Sequence, residues 1–444
     1  MTAFLCELAV LHGAGVQADV LVEADGDRIA SVTPGAAPDG DTIRLDGLVL
    51  PGMANAHSHA FHRALRGRTQ ARGGSEQSFW TWRERMYELA DELTPDGYRE
   101  LARAVYGEMA LAGITTVGEF HYLHHERGGA RYANPNAMGE ALIDAAREAG
   151  LRMTLLDACY LHGGIGVKAD GAQRRFSDGD AETWAARAGE LEAGPLSRIG
   201  AAIHSVRAVD PDSVRVVAEW ADERAAPLHA HVSEQPAENE ACFEAYGATP
   251  TGVLEGAGAL SERFTAVHAT HLARGDVDVL GRAGATCCLC PTTERDLADG
   301  VGPARLLAEA GSPLALGTDS HALIDMFEEA RAVELDQRLL GSARGLHAPE
   351  ELLEAASGAG HASLGWPEAG RIESGALCDL VALDLGGVRL AGTPRHDPIP
   401  SVVFAAGSAD VRDVVVGGEP VVRDGVHLRM DVPAELEAAI AALP

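Results

Sequence analysis

Residues 48–59 read LVLPGMANAHSH, and the character of the chain changes at this stretch. Before it, residues 3–50 alternate and turn like a small β unit, and VLVEADGDRIASV (20–32) is typical of a hairpin around Asp25-Gly26. After it, short β-rich runs alternate with longer amphipathic stretches. The stretch is therefore the first strand of a new, repeating architecture.

Eight candidate strands follow one another between residues 48 and 320. They occupy residues 48–56, 115–122, 152–161, 198–206, 227–234, 264–271, 285–292 and 313–320. Helical stretches separate most of them, and two of these, 95–113 and 135–150, end on glycine, a common C-terminal stop. Strand–helix alternation repeated eightfold over about 300 residues predicts a (β/α)₈ TIM-type barrel rather than an open sheet.

The β character returns after residue 370, in 370–385 and in VRDVVVGGEPVVRDGVHL (411–428). We predict that residues 1–51 and 371–430 pair as one small β-sandwich domain built from both chain ends. Residues 52–370 then form the barrel, and residues 431–444 add a C-terminal helix.

The formal net charge is −30, which repels nucleic-acid phosphates and anionic lipid headgroups. We therefore expect neither a nucleic-acid nor a membrane partner. The N-terminus lacks a basic signal-peptide region and no apolar run approaches ~18 residues, so we expect a cytoplasmic protein. The seven cysteines, including the crowded Cys287, Cys288 and Cys290, are expected to be buried thiols rather than a disulfide framework.

Histidine and acidic side chains stand at the ends of four candidate strands: His57 and His59 on the first, His231 and Glu234 on the fifth, His268 on the sixth, and Asp319 on the eighth. Residues i and i+2 of a strand point the same way, so His57 and His59 face the barrel mouth together. Each feature alone is more often structural, but their combination at successive strand ends predicts a metal site. The nitrogen and oxygen donors suit zinc or iron.

These motifs resemble those of the amidohydrolase superfamily, and the resemblance covers essentially the whole chain. It is carried by LPGMANAHSH (50–59), HVSEQ (231–235), VHATH (267–271) and LGTDSH (316–321). Within the superfamily the chain is most similar to the N-formimidoyl-L-glutamate deiminases of histidine breakdown. That similarity is carried by FWTWRERMYELADELTP (79–95), GEFHYLHH (118–125), HSVRAV (204–209) and CPTTERDLADG (290–300).

The resemblance implies one Zn²⁺ per chain, with Fe²⁺ as the alternative, bound by His57, His59, His231 and Asp319. Many relatives bind two metals bridged by a carboxylated lysine on the fourth strand. The only lysine here, Lys168, lies in a loop after the third strand, so a bridged pair is not expected.

The resemblance also implies hydrolytic deamination: N-formimidoyl-L-glutamate and water give N-formyl-L-glutamate and ammonia. The metal would lower the pKa of a bound water, and Asp319 would take its proton. Glu234 would carry a proton to the leaving nitrogen, while His268 would stabilise the tetrahedral intermediate.

A substrate with two carboxylates needs dedicated cations in so acidic a protein. The candidate substrate-binding residues match the group's motifs or lie in the long, arginine-rich connection 60–94: Arg83, Tyr122, His204, Arg207 and His62. His62 departs from the group, whose members often have glutamine there, so a close analogue of formimidoylglutamate stays open as the substrate.

Two other functions would fit parts of this pattern. A deaminase of guanine, a pterin or another amino-heterocycle would keep the fold, but such sites favour aromatic stacking over paired arginines. A barrel that has lost catalysis and acts as a scaffold would be expected to lose metal ligands first, and all four are present. The chain has no His-Glu-x-x-His motif of a metalloprotease. Because dimers are common in the family, we expect a homodimer.

Overall fold

The computed structural model describes residues 2–37, 42–70 and 79–443. Residues 71–78, within the long connection 60–94, lie outside this part of the chain. In chain order the strands are β1 (Thr2–Leu11), β2 (Gly15–Asp25), β3 (Arg28–Thr33), β4 (Ile43–Pro51), β5 (Met53–Ser58), β6 (Ile114–His121), β7 (Arg152–Cys159), β8 (His162–Gly164), β9 (Val167–Lys168), β10 (Ser197–Ile203), β11 (Leu228–Val232), β12 (Phe264–His268), β13 (Thr286–Leu289), β14 (Leu314–Leu316), β15 (Leu380–Leu383), β16 (Val411–Val416), β17 (Glu419–Arg423) and β18 (Val426–His427).

The α-helices are α1 (Phe79–Glu92), α2 (Pro95–Leu111), α3 (Ala137–Ala149), α4 (Ala181–Ala188), α5 (Pro211–Glu223), α6 (Pro236–Tyr246), α7 (Pro250–Gly256), α8 (Arg274–Ala283), α9 (Pro291–Asp296), α10 (Ala304–Ala310), α11 (Met326–Gly341), α12 (Pro349–Ala356), α13 (Gly358–Ser363), α14 (Ile399–Ala405) and α15 (Val432–Ala441). Short 3₁₀ helices cover Ala60–Leu65, Gly171–Arg175 and Ser408–Asp410. The two predicted helical stretches at 95–113 and 135–150 appear as α2 and α3, and Gly150 ends α3 in the left-handed conformation. Among the described residues, no helix combines the length and the apolar character needed to cross a bilayer.

Eight parallel strands form the barrel, in the order β5, β6, β7, β10, β11, β12, β13, β14. The ring closes between its first and last strands, where the backbone N–H of Asp319 donates to His57 O at 3.0 Å. The predicted TIM-type barrel and its eight strands are thus confirmed. The first predicted strand differs in detail, because the apolar run breaks at Gly52 and residues up to Pro51 belong to β4 of another sheet.

Gly52 makes this crossing between the sheets because there is no room for a side chain. A Cβ atom at this position would lie 2.2 Å from Oγ1 of Thr115 on β6. The pattern of apolar residues does not change at Gly52. The break between β4 and β5 therefore follows from close packing rather than from a local conformational preference.

The second sheet joins both chain ends, with the strand order β18-β17-β16-β15-β4-β1-β2-β3, as predicted. Its edge strand β3 curls back toward the segment before β15, where the N–H of Ile29 donates to Ala376 O at 2.8 Å. The sheet therefore wraps a core of its own, which includes Phe4, Val22 and Leu45. The residue boundaries of the domains, at 51 and 371, stay predictions.

A buried ion pair connects the barrel to this sheet. Arg152 at the start of β7 donates from Nε to Asp379 just before β15 at 2.9 Å, and both side chains are fully buried. Burying one charge without the other would be costly, so the pair ties the two sheets in one orientation. All seven cysteines are free and buried, as expected from their spacing.

Candidate active site

The four predicted metal ligands meet at the mouth of the barrel. Nε2 of His57 lies 3.3 Å and Nε2 of His59 lies 3.5 Å from Oδ1 of Asp319. Nε2 of His231 lies 3.2 Å from Nε2 of His57. Donor atoms about 2.0–2.2 Å from one tetrahedral ion stand ~3.3–3.6 Å from each other, and these three distances are of that size. Nε2 of His57 belongs to two groups of possible ligands whose donor atoms lie within 4.8 Å of one another: His57, His59 and Asp319, and His57, His231 and His268.

The hydrogen bonds on the outer ring nitrogens support this fit. Nδ1–H of His59 donates to Phe120 O at 2.8 Å, and Nδ1–H of His231 donates to His204 O at 2.8 Å. These contacts leave a lone pair on Nε2 of each imidazole. Nε2 of His59 is near Oδ1 of Asp319, and Nε2 of His231 is near Nε2 of His57. Burial holds the pKa values of both imidazoles well below the ordinary range, which keeps them in the neutral, metal-binding form.

Close backbone packing brings the first and last barrel strands together at this point. A Cβ on Gly317 would lie 2.6 Å from Cβ of His57, so the LGTDSH segment requires glycine there. The amide of Asn55 accepts from the backbone N–H of Thr318 at 2.9 Å and donates to its hydroxyl at 2.7 Å. Asp319 itself has a φ of +39°, a left-handed conformation that is uncommon outside glycine and concentrated at functional sites.

Glu119 on β6 supports the turn that carries His59. It is not among the site residues predicted from the sequence. It accepts from the Ser58 hydroxyl at 2.6 Å and from the backbone N–H of Ala60 at 2.7 Å. Burial raises its pKa to about 8, although these hydrogen bonds act in the opposite direction. The residue lies in the quoted GEFHYLHH motif, where only its burial in the fold distinguishes it from a surface acid.

Glu234 and His268 lie side by side next to this cluster. Oε1 of Glu234 is 3.8 Å from Nε2 of His268, and Nδ1 of His268 is 3.6 Å from Oε1 of Glu294. Burial raises the pKa of Glu234. Burial opposes a charged His268, yet the carboxylates of Glu234, Glu294 and Asp319 together raise its pKa well above the ordinary range. Glu294, in CPTTERDLADG, was not singled out from the sequence.

A small cavity of about 50 Å³ opens beside the cluster. All the predicted substrate-binding residues line it, together with predicted catalytic residues and other side chains: His59, His62, Trp82, Arg83, Met86, Tyr87, Tyr122, Tyr160, Phe176, His204, Arg207, His231, Glu234, His268, Leu297 and Asp319. Nε2 of His62 lies 3.1 Å from the hydroxyl of Tyr122. Metal donors, acid–base candidates and cations therefore line one cavity.

Arg207 is the most informative of the cavity residues. Within the described part of the chain, its guanidinium takes part in no hydrogen bond or ion pair, although it lies in the electrostatic field of Glu238 and Glu234. Burial disfavours its charge, but these neighbours raise its pKa, so it is a cation. Arg83 stacks over the ring of Tyr87, with its guanidinium carbon 5.6 Å from the centroid.

Other histidines of the motifs lie outside the cluster. Nε2 of His229 hydrogen-bonds to Ser363 O at 3.0 Å, and Nε2 of His271 hydrogen-bonds to Asp299 O at 2.7 Å. Lys168, on the exposed strand β9, pairs with no barrel strand. These positions agree with a structural use of both histidines and with the absence of a bridging lysine from the described barrel strands.

His121, His124 and Asp157 form a second cluster with metal-like spacing. The carboxylate of Asp157 already accepts from Arg187 at 2.8 and 2.9 Å and from the indole of Trp184 at 2.8 Å. A cation placed there would have to compete with a guanidinium, so we assign this cluster a structural role.

Comparisons with known proteins agree with this description. The profile of the amidohydrolase family matches residues 48–421. The formimidoylglutamate deiminase of Pseudomonas aeruginosa is 38% identical over 440 residues, which cover 96% of each chain. A 5-methylthioadenosine/S-adenosylhomocysteine deaminase of Halobacterium salinarum is 32% identical, covering 95% of this chain and 92% of the relative.

Solved structures share the whole architecture. An amidohydrolase from Brucella melitensis superposes with a TM-score of 0.92 at 35% identity, covering 100% of this chain and 99% of the other. An adenosine deaminase from Xanthomonas campestris with bound zinc superposes with a TM-score of 0.84 at 25% identity, covering 99% and 96%. The similarity thus extends through the barrel and the sheet built from both chain ends.

Proposed function

The chain belongs to the amidohydrolase family, and from that premise we propose that it deaminates N-formimidoyl-L-glutamate hydrolytically, giving N-formyl-L-glutamate and ammonia. The observation that carries the proposal is the position of Arg207, a partly buried cation without an ion pair among the described residues, on the cavity that His59, His231 and Asp319 also line. A cation kept unpaired in an acidic protein favours an anionic substrate.

Four side chains, His57, His59, His231 and Asp319, would hold one Zn²⁺, with Fe²⁺ as the alternative. When bound, a divalent ion acts as a Lewis acid and lowers the pKa of a coordinated water toward neutrality. The hydrogen bonds from His59 to Phe120 O and from His231 to His204 O fix the rings in the required orientation.

Two carboxylates of the protein would transfer the protons of the reaction. Asp319 can accept the proton that the attacking water gives up, and Glu234 can deliver a proton to the departing nitrogen. The oxygen of water forms a bond to the amidine carbon, the carbon–nitrogen bond to the terminal nitrogen breaks, and ammonia leaves. His268, held beside Glu234 and Glu294, would hydrogen-bond to the oxygen that bears the developing charge.

Substrate binding would use other residues that line the same cavity. Arg207 and Arg83 would pair with carboxylates, while His204 and Tyr122 would flank the chain of the substrate. His62 and Tyr122 share a contact at 3.1 Å, so the imidazole acts on the substrate together with that hydroxyl. A formimidoyl analogue with a different chain length would be the first alternative if His62 alters this fit.

A deaminase of an amino-heterocycle is the second candidate, since relatives include 5-methylthioadenosine/S-adenosylhomocysteine and 8-oxoguanine deaminases. Two arginines on the cavity wall favour the linear dicarboxylate instead. The scaffold alternative is disfavoured by the intact donor set. The cellular setting stays a prediction: a cytoplasmic homodimer of histidine catabolism that acts on a small anionic substrate and binds neither nucleic acid nor membrane.

Ammonia release by the zinc-loaded protein tests the proposal. N-formimidoyl-L-glutamate, N-formimidoyl-L-aspartate, guanine and 5′-methylthioadenosine would be compared at equal concentrations. The proposal predicts the highest kcat/KM for the glutamate compound. A preference for the aspartate compound would redirect attention to His62, and a preference for either heterocycle would reject the substrate assignment while leaving deamination intact.

A further inference from the structure

Two tyrosines line the cavity in addition to the residues predicted from the sequence. Tyr87 lies on α1 and Tyr160 directly follows β7, and both line the cavity. The ring of Tyr160 contacts that of His204 edge-on, with centroids 4.6 Å apart, and His204 contacts His231 at 5.1 Å. Tyr160 is therefore separated from the nearest candidate metal ligand by one intervening side chain.

Both tyrosine hydroxyls contact the side-chain amide of Gln173. Its Nε2 lies 3.0 Å from the hydroxyl of Tyr87 and 3.0 Å from that of Tyr160. Its Oε1 accepts the backbone N–H of Asp170 at 3.2 Å, which determines the end of the amide that faces the tyrosines. Each phenolic oxygen therefore accepts a hydrogen from Gln173.

The hydrogen bonds from Gln173 leave the hydroxyl hydrogens of both tyrosines available for other acceptors. A phenolic oxygen that accepts from Gln173 still has its own O–H hydrogen to donate. One tyrosine can donate to the other, but such a contact uses only one of the two hydrogens. Among the described residues neither hydroxyl donates to any further acceptor, so at least one O–H donor is left for a ligand in the cavity.

The surroundings of these hydroxyls are cationic. Arg207 and Arg83 are both electrostatic neighbours of Tyr160, and Arg83 stacks over the ring of Tyr87. A guanidinium beside neutral O–H donors matches a carboxylate, which accepts hydrogen bonds on two oxygens. An apolar group at this position would leave the hydroxyl donors unpaired, and a neutral amide would lack the charge that the guanidinium favours and would present N–H donors to other donors.

We propose that Gln173 is a positioning residue, which orients the hydroxyls of Tyr87 and Tyr160 toward the side-chain carboxylate of the substrate, the one furthest from the reacting carbon. The inference rests on the proposed function and specifies its selectivity: the tyrosine hydroxyls complete a carboxylate pocket that the arginines alone would leave open. Gln173 itself does not line the cavity and acts through the tyrosines.

Two variants test this role by different means. Tyr160→Phe removes one hydroxyl, and Gln173→Glu replaces the amide by an acceptor that would capture the hydroxyl hydrogens and add negative charge. Gln17→Glu is the matched control, since Gln17 is on β2 of the other sheet. Steady-state kinetics would compare N-formimidoyl-L-glutamate with N-formimidoyl-L-glutamine, whose side chain ends in an amide, and calorimetry would measure the binding of glutarate. Thermal midpoints would verify that each variant is folded.

Both test variants should raise KM for the glutamate compound about tenfold or more and leave kcat within about twofold, as expected for loss of hydrogen bonds to a charged group. The preference over the glutamine compound should fall by the same factor, and glutarate binding should weaken in parallel. Unchanged preference and glutarate affinity in both variants would overturn the inference. If the wild type deaminates neither compound, the proposed function fails, and the calorimetry decides separately: weaker glutarate binding in both variants supports the pocket, and no binding to the wild type rejects it.

Discussion

The Nε2 atoms of His57 and His231 lie 3.2 Å apart at the barrel mouth, and both are buried. Because the Nδ1–H group of His231 is already used by His204 O, Nε2 of His231 has a lone pair. Nε2 of His59 and Oδ1 of Asp319 add further acceptors within 3.5 Å of this cluster. A single proton on His57 could serve only part of this set, so the proposed divalent ion would account for the remaining lone pairs.

Removal of the metal should therefore both inactivate and destabilise the protein. Dialysis against a chelator is expected to lower the thermal midpoint, since a ligand present at 1,000 times its Kd stabilises by ~4 kcal/mol. Elemental analysis should find one metal per chain in the wild type, substantially less in His59→Asn, and an unchanged content in His271→Asn. Full metal content in His59→Asn would contradict the ligand assignment.

Glu234→Gln should lower kcat about 10²–10⁴-fold with little change in KM, because a glutamine cannot transfer the proton to the leaving nitrogen. Metal content should remain that of the wild type. Glu244→Gln, at an exposed position on helix α6, which begins two residues after Glu234, is the control and should have wild-type kinetics. A kcat for Glu234→Gln within threefold of the control would exclude Glu234 as the proton carrier.

Arg207→Met should lower kcat/KM for N-formimidoyl-L-glutamate about 10–100-fold, the usual effect of losing a hydrogen bond to a charged group. Arg207→Lys keeps the charge but loses the planar fork, so it should recover only part of the loss. The control is Arg215→Met, which breaks an exposed i,i+3 pair with Asp212. Equal losses for a substrate without carboxylates would indicate a folding defect rather than substrate recognition.

Gly317→Ala should reduce metal content and the thermal midpoint together. The added Cβ would lie 2.6 Å from Cβ of His57, so β5 and the LGTDSH segment would have to separate. Gly256→Ala, at the end of α7 with nothing within 4 Å of the new Cβ, provides the control. If Gly317→Ala binds metal like this control, the closure of the barrel does not position the ligands.

Stability should fall on acidification because of buried neutral histidines such as His361. Burial lowers its pKa from 6.5 to about 4, so the unfolded chain binds an additional proton between these two values. The stabilising contribution is complete above pH 6.5 and is lost as the pH falls to about 4, at ~1.4 kcal/mol per pH unit. Urea titrations should give a shallower pH slope for His361→Gln than for the wild type, and identical slopes would refute the argument.

The sequence predicted the barrel and the residues of its mouth because strand periodicity fixes which side chains face together. His57 and His59 stand two residues apart on one strand. His231 and Asp319 are at the ends of the fifth and eighth predicted strands, which a barrel brings to the same mouth. Glu119, Glu294, Tyr160 and Gln173 could not be identified in this way, since their roles depend on contacts between segments that meet only in the folded chain. Gly52 was missed because the apolar run continues through it without a change of pattern.

The most direct test of the proposed reaction identifies its products in ¹⁸O-labelled water. The zinc-loaded protein would be incubated with N-formimidoyl-L-glutamate, and the mixture analysed by mass spectrometry and an ammonia assay. We expect equimolar ammonia and N-formyl-L-glutamate, with one ¹⁸O atom in the formyl group. Formation of glutamate and formamide, or no conversion of this compound alongside rapid deamination of a heterocycle, would contradict the proposed function.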